Sequence, residues 1–184
     1  RYRGKDFFWD PLCGSGTIVI EAALAALNRA PGLTRRFAAE SWRTVPEEVF
    51  AQEREAAVSR EFHGDYRILG TDIDPEALTI ARENAKKAGV DGLIEFRQAD
   101  AVREAPPCDT GVLVCNPPYG ERMGEREDAI RLYRALGRRW KNEKGWRKYI
   151  LSSEPDFEYA FGAPAAKKRK LYNGRLLCNV YMYF

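Results

Sequence analysis

The chain has 184 residues, 45% of them hydrophobic and 31% charged, with a formal net charge of +3 at pH 7. That size and mixture fit one globular domain with a single core, and so small a positive charge is compatible with a nucleic-acid partner without requiring one. No apolar run approaches the roughly 18 residues needed to cross a membrane, and residues 1–6 are too polar for a secretory signal.

Four cysteines, Cys13, Cys108, Cys115 and Cys178, form no CxxC pair, and the single His63 has no cysteine at zinc-finger spacing. A structural metal site is therefore not expected, and a reducing cytosol is the compartment indicated. The sequence begins without methionine and runs directly into apolar residues, which reads as a domain excised from a longer protein.

In chain order, residues 7–9 read as a strand, followed by the glycine-rich turn Asp10-Pro11-Leu12-Cys13-Gly14-Ser15-Gly16-Thr17. A helix apolar on nearly all sides spans residues 17–28 and stops at Pro31-Gly32. Glu21, inside it, is read as favouring the helix dipole. Residues 33–45 look irregular. Pro46 opens a polar helix over 47–60. A strand at 67–71 leads to Asp74-Pro75, where Asp74 suits the N-cap and Pro75 the first helical position; Leu78, Ala81, Ala85 and Ala88 then repeat at helical spacing up to Gly89.

Strands at 93–98 and 111–115 follow, the second ended by Asn116-Pro117-Pro118-Tyr119-Gly120, since prolines cannot continue a central strand. A helix over 127–140 carries Ile130, Tyr133, Leu136, Gly137 and Trp140 on one side, and Tyr133 and Trp140 are assigned to the core. A fifth strand at 149–152, a short helix at 157–161 and a hairpin of 168–172 with 176–184 around Asn173-Gly174 complete the chain. Strands alternating with helices predict a three-layer α/β fold with a mainly parallel sheet and one antiparallel strand near the end.

The turn at Gly14-Ser15-Gly16 stands where such folds bind ligands, at the carboxyl end of a strand. A dinucleotide fingerprint needs a third glycine where Val19 stands, and a P-loop needs a lysine that does not follow Gly16. An aminoacyl or nucleoside ligand such as S-adenosylmethionine (SAM) remains. Asp72, ending the second strand, suits the two hydroxyls of a ribose. Asp100, after the third, suits an adenine amino group, and Ala101 offers a backbone N–H to a ring nitrogen.

Asn116-Pro117-Pro118-Tyr119 is the most specific element. An amine on an aromatic ring or carbonyl delocalises its lone pair and is a poor nucleophile. Two acceptors, the Asn116 side-chain oxygen and the Pro117 carbonyl, would draw it toward tetrahedral geometry, and consecutive prolines hold that carbonyl in place. Tyr119 offers a ring for a flipped-out base.

With these elements the sequence resembles the class I SAM-dependent methyltransferases. More narrowly, it resembles the bacterial THUMP-associated RNA methyltransferases, which include the large-subunit ribosomal RNA guanine-N2 methyltransferases. The likeness covers nearly the whole chain. It rests on residues 10–17, Ile20-Glu21-Ala22-Ala23, Ala30-Pro31-Gly32, Asn116-Pro117-Pro118-Tyr119-Gly120-Glu121-Arg122 and Leu171-Tyr172-Asn173-Gly174.

The resemblance implies a Rossmann-like αβα sandwich whose seven strands run in the order 3-2-1-4-5-7-6, strand 7 antiparallel. It implies SAM, released as S-adenosylhomocysteine, lying across Asp10, Gly14, Gly16, Asp72 and Asp100, with Cys13, Ser15, Thr17, Ile73, Ala101 and Asn116 alongside. Asn116, Pro117 and Tyr119 are the catalytic candidates. Tyr119, Gly120, Arg122, Lys168 and Arg169 are the substrate-binding candidates. No metal is needed, because SAM carries an activated methyl.

The expected reaction is methylation of guanine N2 in ribosomal RNA, with a THUMP-type RNA-binding region, absent from this sequence, in the full-length chain. Adenine N6 in DNA or RNA and a protein glutamine amide suit the same loop. A non-catalytic SAM- or RNA-binding module is a reading from another class. The sequence leaves the oligomeric state open.

Overall fold

The apolar runs pair in parallel and in register, with Phe8 opposite Ile68 and Ile68 opposite Ile94. The computed structural model describes residues 2–120 and 125–184. Its strands are β1 (Phe8–Asp10), β2 (Ile68–Asp72), β3 (Ile94–Gln98), β4 (Gly111–Cys115), β5 (Trp146–Ser152), β6 (Lys167–Asn173) and β7 (Leu176–Tyr183). They form one sheet in the order β3-β2-β1-β4-β5-β7-β6, and β7 runs antiparallel to both of its neighbours. This is the expected fold.

Alternation along the strands divides the core in two. Phe8, Ile68, Ile94 and Val112 face α1 (Thr17–Leu27) and α3 (Pro75–Ala88). Trp9, Leu69, Leu113 and Ile150 face α4 (Glu125–Trp140) and α5 (Phe157–Phe161). Trp9 meets Trp140 and Trp146 edge-on, with centroids 5.9 and 5.8 Å away. On the α1 side, Phe8, Val112, Val114, Tyr149 and Val180 line an open groove.

Several boundaries differ from the sequence reading. Helix α1 ends at Asn28, whose φ of 56° reverses the backbone before Pro31-Gly32 is reached. Glu21 lies beyond the first turn of α1, where no acidic residue falls, so the dipole reading fails because that interaction fades within one turn. Residues Ala38–Ser41 form a 3-10 turn inside the segment expected to be irregular. Pro46 caps α2 (Glu47–Ser59) one position earlier than a first helical residue, and no residue of α2 is buried.

The α3 reading agrees in detail: the Asp74 side chain accepts the Glu76 amide and Gly89 ends the helix at a φ of 67°. Strand β5 starts at Trp146, three residues before the expected start, and its indole donates to the Cys108 carbonyl at 2.8 Å. In the hairpin Asn173 pairs with Leu176, so the two-residue loop is Gly174-Arg175. Gly174, at a φ of 63°, supplies a left-handed position in a loop that falls one residue later than the expected Asn173-Gly174.

Candidate active site

Because β1 to β4 run parallel, their carboxyl ends bring Asp10, Asp72, Asp100 and Asn116 to one edge of the sheet. Asp10 ends β1 and is 1% exposed. Its Oδ1 accepts the Leu12 amide at 3.1 Å, while Oδ2 is buried without a partner among the described residues. Burial first, opposed by the Leu12 bond and reinforced by Asp72, pushes its carboxyl up to about 8.

The glycine-rich turn is held from three sides. The Cys13 amide donates to the Thr71 carbonyl at 2.9 Å, Gly14 donates to Asp72 Oδ2 at 2.9 Å, and Asn84 Nδ2 of α3 donates to the Ser15 carbonyl at 3.0 Å. Gly16, at a φ of 85°, is the N-cap of α1 and contributes no side-chain cap. A Cβ on it would sit 3.1 Å from Ala81, whereas one on Gly14 would meet nothing within 4 Å among the described residues. The turn is thus packed beneath Gly16 and open above Gly14. Ser15 and Thr17 are exposed with their hydroxyls 3.5 Å apart. Burial, with Asp10 and Asp72 nearby, pushes the Cys13 thiol up to about 12, so it stays neutral.

Asp72 joins two loops, since its Oδ1 also accepts the Asp74 amide at 3.0 Å. A carboxylate offers about four lone-pair sites, so two remain for hydroxyl donors. Ile73 beside it is 62% exposed, an apolar surface next to polar acceptors. Asp100 accepts the Val102 amide at 3.1 Å, and Arg103 Nε lies 3.4 Å from its Oδ2. Ala101 is buried in the core.

These groups fit SAM. A buried orphan carboxyl oxygen suits a cationic amine, a carboxylate with spare lone pairs suits vicinal hydroxyls, and the exposed Ile73 suits a flat ring. Among the described residues no cluster of metal-ligating side chains occurs.

Asn116 follows β4 directly and is exposed, Pro117 is buried, and the Tyr119 hydroxyl donates to Asn116 Oδ1. The loop is thus closed on itself, a contact that residue spacing does not reveal. Asn173 Nδ2 at the hairpin tip lies 3.5 Å from the Tyr119 hydroxyl, which burial pushes up to about 12. Gly120, at a φ of 69°, tolerates no side chain, because a Cβ would come within 2.5 Å of Arg126 Cα. Arg122 lies outside the described residues.

Lys168 sits apart from this loop. It pairs with Glu158 at 2.7 Å and lies 6.0 Å from the Tyr181 ring centroid. Five residues of extended chain, about 17 Å, separate it from Asn173. Arg169 is exposed on β6, on the opposite face by strand alternation.

Sequence reasoning missed Asn84 and Asn173 as supports of the site. Asn84 was findable, since it stands three positions after Ala81 on the face of α3 that meets the turn. Asn173 was read only as a turn former.

The family model described as RMKL-like, methyltransferase domain, matches residues 1–182. The ribosomal RNA large subunit methyltransferase K/L of Shewanella baltica (strain OS195) is 42% identical over 180 residues, covering 95% of this chain and 25% of that protein. The solved structure of SMU.472, complexed with SAH, is 37% identical with a TM-score of 0.95, covering 100% of this chain and 49% of that one. A structure from Listeria monocytogenes str. 4b F2365, described as a predicted N6-adenine-specific DNA methylase, is 41% identical with a TM-score of 0.91, covering 98% of this chain and 47% of that one.

The chain spans between 25% and 46% of the length of the first curated relatives it matches. With nearly every residue inside the family model, and with the sheet order and loop placement described above, the chain belongs to the RMKL-like methyltransferase domain family.

Proposed function

We propose that this domain transfers a methyl group from SAM to an exocyclic amine of an RNA base, guanine N2 in ribosomal RNA, within a longer cytoplasmic protein that supplies further RNA contacts. The observation that carries the reading is the Asn116–Tyr119 loop, set one strand away from Asp10 and the glycine-rich turn. When bound, SAM supplies a methyl already activated on a sulfonium centre.

Asp10, Gly14, Asp72, Ile73 and Asp100 are the residues that would hold it, through the orphan carboxyl oxygen, the open space above Gly14 and the spare acceptor sites. Asn116 Oδ1 and the Pro117 carbonyl accept the two amine N–H groups and orient the nitrogen lone pair. For this the Tyr119 hydroxyl gives up or shares Asn116 Oδ1, which frees the ring to stack on the entering base. Proline-fixed φ angles keep the acceptors from reorganising during transfer.

The basic residues of the edge strand β6, Lys167 to Lys170, offer cations for the RNA backbone along the sheet edge, apart from the loop. Lys168 is shared with Glu158, so Arg169 and Lys170 carry most of this contact. Ribosomal RNA is favoured by the K/L methyltransferase relative.

In the full-length protein, Asn116→Ala is expected to lower kcat about a hundredfold while SAM still binds. Native turnover with native SAM affinity would refute the amine-orienting role. The Listeria structure, as a predicted N6-adenine-specific DNA methylase, supports a second reading, adenine N6 in DNA, with the same loop chemistry and a different acceptor.

A further inference from the structure

Beneath the Asn116–Gly120 loop runs a chain of three hydrogen bonds that all point the same way. The Glu154 amide donates to Ser152 Oγ at 3.1 Å, Ser152 donates to the Tyr133 hydroxyl at 3.2 Å, and Tyr133 donates to the Pro118 carbonyl at 2.8 Å. Ser152 and Tyr133 are fully buried and Glu154 is 4% exposed.

The Glu154 carboxylate also takes both Arg126 Nε and Nη2 at 2.8 Å, and Arg126 is the second residue of α4, where the chain returns from the loop. The end of β5 and the turn after it therefore reach the loop at Pro118 through Tyr133, and hold the helix that follows the loop through Arg126. That turn is itself fixed: the Tyr181 hydroxyl donates to the Glu154 carbonyl at 3.2 Å and the Asp156 amide to the Glu154 carboxylate at 3.2 Å.

The Tyr133 ring already packs edge-on against Phe157, with centroids 5.0 Å apart. A phenylalanine would fill that space without burying a hydroxyl, which costs free energy unless it is bonded. The hydroxyl is thus explained by what it holds. Two prolines fix φ, and Pro118 restricts the ψ of Pro117 before it, but the ψ that aims the Pro118 carbonyl is set by neither. The loop needs an outside anchor for its peptide planes, and Tyr133 supplies one. Burial pushes the Tyr133 hydroxyl above the usual phenol range, so it keeps the proton it donates.

We propose that Tyr133, Ser152 and Glu154 are positioning residues for the amine-binding loop, holding the Pro118 carbonyl so that Asn116 and the neighbouring Pro117 carbonyl keep one relative orientation. The amine role rests on the proposed function; the anchoring of the loop does not.

The test uses the natural full-length chain and unmodified ribosomal RNA from a strain lacking the protein. Tyr133→Phe keeps the ring and removes the donor. Its kcat is expected to fall about tenfold or more, with KM for SAM and for RNA within about twofold of native. Independently of turnover, hydrogen exchange at the Tyr119 and Gly120 amides is expected to speed up about threefold or more, with β1 and β2 unchanged.

Ser152→Ala breaks the same chain one step earlier and is expected to move in the same direction, which covers poor folding of the first variant. Ile150→Val, a buried change on the same strand, lowers stability without touching the chain and keeps native kcat. If both hydroxyl variants lose stability as Ile150→Val does, yet keep native kcat or native loop exchange, the proposal is wrong. Native turnover in Asn116→Ala would overturn the amine reading alone, because loop exchange reports the anchor without any methyl transfer.

Discussion

Asp10 leaves one buried carboxyl oxygen without a partner among the described residues, and burial raises its titration to about 8. An aspartate in the unfolded chain titrates near ~3.9. Between those values the folded state holds a proton that the unfolded chain has lost, so this group makes stability fall as pH rises through the window. Asp10→Asn keeps the shape and cannot ionise. From about pH 5 to about pH 8, thermal unfolding of the unliganded protein is expected to decline less steeply in Asp10→Asn than in the native protein; equal slopes would contradict the burial argument. A cationic ligand group beside Oδ2 reverses the preference, so SAM binding near neutral pH is expected to release a proton, read as buffer-dependent heat in calorimetry. The sequence exposed Asp10, Asp72 and Asn116 because each follows a strand in a distinctive turn. It did not expose the Tyr119 hydroxyl closing on Asn116, nor the role of the Tyr133 hydroxyl, since both depend on side chains brought together by the sheet.

At the scale of elements, Asp74 and Asp72 separate cleanly. Asp74 caps α3 through the Glu76 amide, so Asp74→Ala is expected to cost about 1 kcal/mol of stability. Its SAM affinity, read by calorimetry, is expected to stay native. Asp72→Ala removes the link between Gly14 and Asp74 and is expected to weaken SAM binding as well. On β6, the combined Arg169→Ala and Lys170→Ala change is expected to flatten the dependence of RNA affinity on salt, by about 0.7 in log–log slope for each phosphate no longer neutralised on single strands. An unchanged slope would place the RNA elsewhere. Helices and strands with strong punctuation were legible, as at Asp74-Pro75 and at Gly111–Cys115 before its prolines. The early start of β5 was not, because Trp146 is held by the Cys108 carbonyl, distant in sequence, and Lys148 by the Glu143 carbonyl, contacts that no periodicity reveals. The hairpin was legible as a hairpin, while its exact turn was set by the Asn173–Leu176 pairing.

For the whole molecule, parallel strand order does most of the functional assembly. Four strand ends place the cofactor candidates and the amine loop on one edge, and the antiparallel β7 brings the hairpin tip against Tyr119. Alternation of strand and helix made the layered fold readable, and the sheet order came from the family likeness. The acceptor base is the finest point, and the relatives' names divide between ribosomal RNA and DNA adenine. Mass spectrometry of nucleosides from ribosomal RNA and genomic DNA of a strain lacking the full-length protein decides it most directly. The expected result is loss of an N2-methylguanosine from ribosomal RNA, restored by the native protein and not by Asn116→Ala. Unchanged ribosomal RNA with loss of N6-methyladenine from DNA would contradict it.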